Sequence, residues 1–111
     1  MIELAQNTLY TKLLDAVNMN ASTSATQAIQ GVGGYCIQGF WSGYSGSGET
    51  IATQGSNDGV NFTQVNSVNV TGATGSFILN VEKAHYRFVK VVYTTGTTTG
   101  TLTVTISGKV I

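Results

Sequence analysis

TQGSNDGVNFTQV, residues 53–65, places an Asn-Asp-Gly sequence at positions 57–59 between two threonine-containing runs. Glycine readily takes the positive φ that tight turns demand, and Asn and Asp tolerate it, so the three residues predict the corner of a β-hairpin. Its strands are predicted over 49–55 and 60–65. Three apolar positions of the hairpin are available for a core: Ile51, Phe62 and Val65. The alternative is that the three turn residues form a ligand-binding or metal-binding loop.

The C-terminal part of the chain shows the clearest strand pattern. Residues 101–107, TLTVTIS, alternate between apolar side chains and threonine, which predicts a half-buried strand. Residues 86–94, YRFVKVVYT, are apolar on both faces and predict a central strand that is covered on both sides. We expect the connector 95–100 to be a hairpin loop, which would make these two strands antiparallel neighbours.

Further strands are predicted upstream over 75–82, 34–44 and 24–32. Residues 7–19, NTLYTKLLDAVNM, fit a short amphipathic helix because Leu9, Leu13, Ala16 and Val17 have helical spacing, but they also fit a strand followed by a loop. We favour the strand. The total is about seven to eight short strands with turn signals about every ten residues, which is typical of an all-β antiparallel β-sandwich or jelly roll.

Length and composition limit the possible functions. The 111 residues are enough for a single domain over 1–111, in which 1–22 is a possible extended arm or short helix. The net charge is zero and only 9% of residues are charged, so we expect no nucleic-acid partner, which would require a basic surface. No apolar run reaches membrane-spanning length, and no signal-peptide pattern begins the sequence, so we expect synthesis in a cytoplasm and no membrane contact.

No constellation of residues indicates catalysis, a metal or a cofactor. The single histidine, His85, excludes a pair of histidine zinc ligands, and Glu82 is its closest carboxylate in sequence. Asp58 could contribute to a calcium site, but no second carboxylate is near it in sequence. The single cysteine, Cys36, is expected to be a small buried core residue. We therefore expect a protein that is not an enzyme.

Aromatic residues beside a Gly/Ser loop are the remaining candidates for binding. Trp41 and Tyr44 could stack on a sugar or anchor a protein interface. The turn residues Asn57 and Asp58 could also contact a partner. On strand alternation Phe40 and Trp41 lie on opposite faces, so one of the two is expected on an outer face.

Three stretches support a resemblance to known proteins: ATQGSNDGVNFTQV, FILNVEKAHYRFVKVVYT and GTLTVTISGK. Over about residues 49–109 they resemble small β-sandwich virion proteins of tailed bacteriophages. The Ser-x-Asp-Gly-x-Asn-aromatic hairpin, with the later Tyr-Arg-aromatic-Val strand, also resembles discoidin-like domains of the coagulation-factor C type.

The phage resemblance implies a virion component. It suggests a capsid decoration (cement) protein that binds the major capsid protein as a homo-oligomer, or alternatively a carbohydrate-binding or adaptor module of a tail or fibre. The ends of the sequence are apolar, and we expect neighbouring subunits to hold them by strand addition or arm exchange. These end residues are Met1, Ile2, Val110 and Ile111.

Overall fold

The computed structural model describes residues 7–29, 32–94 and 98–110, which form eight β-strands and no helix. The strands are β1 (Asn7–Asn18), β2 (Thr23–Ala28), β3 (Val32–Ser42), β4 (Thr50–Ser56), β5 (Thr63–Asn69), β6 (Thr74–Val81), β7 (Phe88–Thr94) and β8 (Thr101–Val110). The prediction of an all-β fold with seven to eight strands is confirmed.

The strands form two antiparallel sheets of four strands. Sheet A has the order β1-β8-β3-β6, and sheet B has the order β2-β7-β4-β5. The pairs are nested along the sequence, because β1 pairs with β8, β2 with β7, β3 with β6 and β4 with β5. A long hairpin rolled into two packed sheets gives this order, so the sandwich is a jelly roll.

The predicted hairpin between residues 86–94 and 101–107 is wrong. β7 lies between β2 and β4 in sheet B, whereas β8 lies between β1 and β3 in sheet A. Each strand has one fully buried face, and the two faces meet across the core from opposite sheets. The connection between them therefore passes from one sheet to the other. Alternation identifies which face of a strand is buried, but it does not identify the strand's neighbours.

The core fills the space between the sheets. Its fully buried side chains come from both: Met19, Ile29, Ile37, Ile51, Val89, Val91, Tyr93, Leu102, Val104 and Ile106. Between β3 and β6, two rings lie over glycines of the opposite strand. Phe77 covers Gly39 and Trp41 covers Gly75, at positions that are paired in the register. The glycines leave the space that the rings occupy.

Residues 7–18, where the sequence pattern allowed a helix or a strand, form β1 at the edge of sheet A. Its register with β8 shifts three times, and Ala16 has a φ of 50°. Each shift adds a residue on one strand, so the inward positions no longer follow a period of two. Leu9, Leu13 and Val17, which pack against the core, are consequently four residues apart and imitate helical spacing.

Candidate interaction site

The Asn-Asp-Gly sequence lies in the loop 57–62 between the antiparallel strands β4 and β5. The prediction of a hairpin corner is therefore confirmed, and Gly59 has the expected positive φ of 76°. The register shifts within the hairpin next to Val65. This residue is 40% exposed and does not reach the core that the sequence pattern assigned to it. Ile51 is fully buried, as expected.

The Asp58 carboxylate organises this loop. Oδ1 accepts hydrogen bonds from Ser56 Oγ at 2.9 Å, Val60 N at 2.9 Å and Asn61 N at 2.8 Å. Oδ2 accepts a fourth from Asn61 Nδ2 at 2.8 Å. The backbone N–H of Asn61, followed by that of Val60, holds the pKa of Asp58 well below its ordinary value of 3.8. The charged carboxylate is thus a structural element of the turn.

These contacts leave little basis for a metal site. Each carboxylate oxygen of Asp58 already accepts hydrogen bonds from the loop itself. Within residues 7–29, 32–94 and 98–110, no group of three His, Cys, Asp or Glu side chains is placed to hold an ion. Nor does this part of the chain contain a helix with the length and apolar character needed to cross a membrane.

A polar depression of about 380 Å³ lies beside the loop. Its lining combines amide, carboxylate and phenol groups: Asn57, Asp58, Asn61, Gln64 and Tyr86. On the neighbouring strand β7, the Lys90 ammonium stands 4.4 Å from the centre of the Phe62 ring. Asn57 and Asp58 are exposed, so two of the predicted contact residues do lie on an accessible surface.

Trp41 and Tyr44, the aromatic residues predicted to meet a ligand, are instead core residues. Trp41 is 3% exposed and donates a hydrogen bond from Nε1 to the Gly72 carbonyl at 3.0 Å. Tyr44 is 5% exposed, and its hydroxyl donates to the buried carboxylate of Glu49. Burial raises the pKa of Tyr44, and the bond to Glu49 adds to this effect. Neither ring presents a face to a sugar or a protein.

The exposed aromatic residue is Phe40, as strand alternation allowed. Phe40 is 53% exposed on the outer face of sheet A, and Ile78 of β6 is 57% exposed on the same face. Phe40 pairs with Ser76 and Ile78 pairs with Gln38, so the two apolar side chains are diagonal neighbours. Ile78 was missed, although a signal existed: in the run Phe77-Ile78-Leu79 one apolar side chain must point away from the other two.

The surroundings of this apolar pair are uncharged. The outward side chains of β3, β6 and β8 near it are the Cys36 thiol and a set of hydroxyls and amides: Gln38, Ser42, Thr74, Ser76, Asn80, Thr101, Thr103, Thr105 and Ser107. On β1 the same sheet exposes Tyr10 at 67%. Charged side chains of sheet A lie toward its borders, such as Lys12 with Asp15 on β1 and Lys109 at the end of β8.

A second depression of about 600 Å³ lies at the end of sheet A where β3 begins. Cys36 lines it together with Gly34, Ser107, Lys109 and Glu82. Cys36 is half-buried and alternates with the buried Tyr35 and Ile37, so the prediction that it is a buried core residue is wrong.

Of the end residues predicted to contact neighbours, Val110 closes β8 opposite Val32 of β3. Met1, Ile2 and Ile111 lie outside the described residues. The possible arm over 1–22 is described from Asn7 onward, where it is strand β1 and the turn that follows.

The sequence matches no protein-family model, and no curated protein matches it. A solved structure described as CBM4 is similar in fold, with a TM-score of 0.53 at 14% identity, over 79% of this chain and 61% of that one. This chain thus spans less than two thirds of the CBM4 chain. Dimeric latent PorU from Porphyromonas gingivalis has a TM-score of 0.47 at 10% identity, over 96% of this chain and 12% of PorU.

A protein of the Bacillus endospore appendages, described as a family of disulfide-linked pili, has a TM-score of 0.42 at 17% identity, over 100% of this chain and 98% of that one. At such identities the CBM4 likeness concerns the fold alone, and the two lower scores support no argument. The comparison therefore agrees with a β-sandwich.

Proposed function

We propose that this protein is a non-enzymatic structural component of a phage virion, a capsid decoration (cement) protein that binds the major capsid protein as a homo-oligomer. The observation that supports this best is the exposure of Phe40 and Ile78 on a part of the outer face of sheet A that carries no charged side chain. Apolar and aromatic groups at the centre, with few charges around them, are the composition of a protein interface core. The resemblance of residues 49–109 to virion proteins of tailed bacteriophages is the reason for proposing that this interface belongs to a virion.

The shape and the charge of the molecule also suit attachment to a shell. The Cα positions extend over 45 × 35 × 18 Å, so the molecule is a slab with two broad faces. Because the net charge is zero and the outer face of sheet A is uncharged near Phe40, apolar burial would dominate binding. We therefore expect the affinity for capsids to change little between low and high salt, unlike that of a contact between exposed charges.

The first experiment is a copy-number measurement. Particles purified from the source strain should contain the protein at a copy number comparable to that of the major capsid protein, measured by quantitative mass spectrometry. A copy number far below that of the capsid protein would contradict the cement role and favour a tail location. Complete absence from the particles would contradict any virion role.

The second experiment tests the surface. The Phe40→Ser variant should bind heads lacking the protein at least tenfold more weakly than the wild-type protein. Val60→Ser is the matched control, because Val60 is 79% exposed in the β4–β5 loop, away from this face. Equal binding by all three proteins would show that the outer face of sheet A does not contact the shell.

A second candidate function is a carbohydrate-binding or adaptor module of a tail or fibre. The polar depression beside the β4–β5 loop favours it, since amides and a phenol suit a hydroxylated ligand. The CBM4 likeness is compatible with this candidate but concerns the fold only. Because Trp41 is buried, the contact would involve Asn57, Asn61 and Tyr86 instead.

A glycan array, followed by NMR titration of the Asn57 and Asn61 side-chain amides, tests this candidate. Sugar binding should shift these amide resonances, and Asn61→Ser should abolish the response. A blank array would eliminate carbohydrate as the ligand.

A further inference from the structure

The two sheets end in four edge strands, and these differ in how well they resist pairing with another chain. β1 is interrupted by three register shifts and exposes Lys12 and Asp15, while β5 contains a shift opposite β4. β2 has only six residues and no large apolar side chain. Bulges, charges and short length are the devices by which proteins protect sheet edges.

β6 has none of these devices. Its eight residues, TGSFILNV, contain no charge and no proline. They pair with β3 in unbroken register, from Tyr35 opposite Val81 to Ser42 opposite Thr74. Within the described residues β3 is the only strand bonded to β6, which leaves a regular backbone edge open on the other side.

The inner face of β6 is apolar, and its outer face carries one large apolar side chain. Phe77, Leu79 and Val81 point toward the core but are only half-buried, because no strand lies beyond them. On the outer face Ile78 is 57% exposed beside Phe40. A strand added at this edge would cover the half-buried inner group and place a neighbouring side chain beside Ile78 on the outer face.

We propose that β6 pairs antiparallel with β6 of a second copy of this chain, about a two-fold axis, so that sheet A continues through both protomers. An antiparallel pair of identical strands is self-complementary, which a two-fold interface requires. Since β6 is uncharged, the pairing brings no like charges opposite each other. It also joins the two Phe40–Ile78 pairs into one apolar strip on the outer face of the extended sheet.

The dimensions suit such a dimer. Eight residues of strand are about 26 Å long at roughly 3.3 Å per residue. This length allows the two copies of β6 to pair along the whole of the edge that β3 does not use.

This inference specifies the surface of the homo-oligomer in the proposed function and rests on that proposal for its biological setting only. Pairing at β6 is measured on the isolated protein, without capsids. A protein that is monomeric in solution but still binds heads would overturn the pairing and leave the decoration role standing.

Sedimentation velocity over a range of concentrations provides the first test. The wild-type protein should sediment as a dimer at micromolar concentration, and Ile78→Lys should raise the dimer dissociation constant at least tenfold. Val60→Lys is the control, because it places the same charge at an exposed apolar residue outside β6, in the β4–β5 loop, and should leave the dimer intact. A monomeric wild-type protein, or an Ile78→Lys dimer as stable as the wild type, would overturn the inference.

Hydrogen exchange of the wild-type protein provides a test that needs no variant. The backbone amides of β6 that point away from β3 should exchange more slowly as the protein concentration rises, while the outward amides of the edge strand β2 should not change. Protection that rises at β2 and not at β6 would show that the protein pairs through a different edge strand, which would contradict the proposal.

Discussion

At the scale of single residues, Asp58 determines the shape of the loop that first indicated the fold. Its carboxylate accepts four hydrogen bonds from donors within five residues of sequence, and Ser56 Oγ accepts two more from the backbone N–H groups of Asp58 and Gly59. The sequence predicted a turn here because of the residue types. It could not predict that the connection spans residues 57–62, since the hydrogen bonds of one carboxylate determine that length.

Asp58 makes the stability of the protein depend on pH in the acidic range. Its pKa is lower in the folded state than the ordinary 3.8, so on acidification the unfolded chain takes up the proton first. The stabilisation is complete well above pH 3.8 and decreases as the pH falls below that value toward the folded pKa. Urea unfolding between pH 7 and pH 2 should show a smaller acid-dependent loss for Asp58→Asn than for the wild type. Parallel curves for the two proteins would contradict this assignment.

Gly39 gives a second prediction at the residue scale. A Cβ atom there would overlap the Phe77 ring, so Gly39→Ala must displace the ring from the core. We expect a loss of about 1–3 kcal/mol in the free energy of unfolding, as for other overpacked sites. Denaturant unfolding measures it, with Ser76→Ala on the exposed face as the control, for which about 0.5 kcal/mol or less is expected. Equal midpoints for both variants would show that the ring moves freely.

At the scale of elements, the strands were predictable where their periodicity is clean. Leu102, Val104 and Ile106 of β8 are fully buried, as the alternation of TLTVTIS required. β1 was ambiguous because its register shifts produce an apolar spacing of four. Irregular strands therefore lose the signal by which a sequence reveals them, and only their pairing with a neighbour shows them to be strands.

The candidate sites were less predictable than the strands. Alternation separated Phe40 from Trp41 correctly, but it could not tell which of the two faces would be buried. That choice depends on Gly75, whose missing side chain makes room for the Trp41 ring on the adjacent strand. The location of Ile78 on an edge strand depends on strand order, which local sequence does not contain.

A contact between elements of the two sheets makes the stability of the protein depend on pH in the alkaline range, as Asp58 does in the acidic range. The hydroxyl groups of Tyr35 in β3 and Tyr86, just before β7, are 2.6 Å apart and their rings meet edge to face. Burial, and then the bond to Tyr86, raises the pKa of Tyr35 above its ordinary value of 10.0. The contribution of Tyr35 to the free energy of unfolding is therefore complete below pH 10.0. It is lost as the pH rises above that value, because the tyrosine of the unfolded chain ionises first.

The Tyr35→Phe variant should lose about 0.5–1.5 kcal/mol of stability at neutral pH, because it removes one hydrogen bond. Its stability should also fall less steeply than that of the wild type between pH 9 and pH 11, measured by urea unfolding. An unchanged alkaline slope would mean that Tyr35 does not titrate differently on folding.

At the scale of the whole molecule, the nested pairing makes folding depend on distant parts of the chain. β1 pairs with β8, and sheet A has β8 in its interior. Sheet A is complete only after β8, the last strand, has paired with both β1 and β3. The first and last strands are therefore as important to the fold as the central hairpin of β4 and β5.

This topology predicts slow but simple refolding. Domains dominated by non-local strand pairing fold in about milliseconds to seconds. The chain contains no proline, so it lacks the slow isomerisation phase, which takes about 10–100 s at 25 °C. Double-jump stopped-flow experiments should show one refolding phase whose amplitude does not depend on the time spent unfolded. A slow phase that grows with that delay would contradict the prediction.

The pairing of β1 with β8 also determines how the molecule would respond to mechanical load. Asn7 lies opposite Lys109, so both ends of the described chain emerge at the same end of one antiparallel strand pair. Tension applied between them would load the pair in an unzipping geometry, in which the hydrogen bonds break one after another. It would not load all of the bonds at once in shear. A molecule tethered by its two ends would therefore unravel under weak force. A molecule held through its broad face would distribute the same force over a whole sheet.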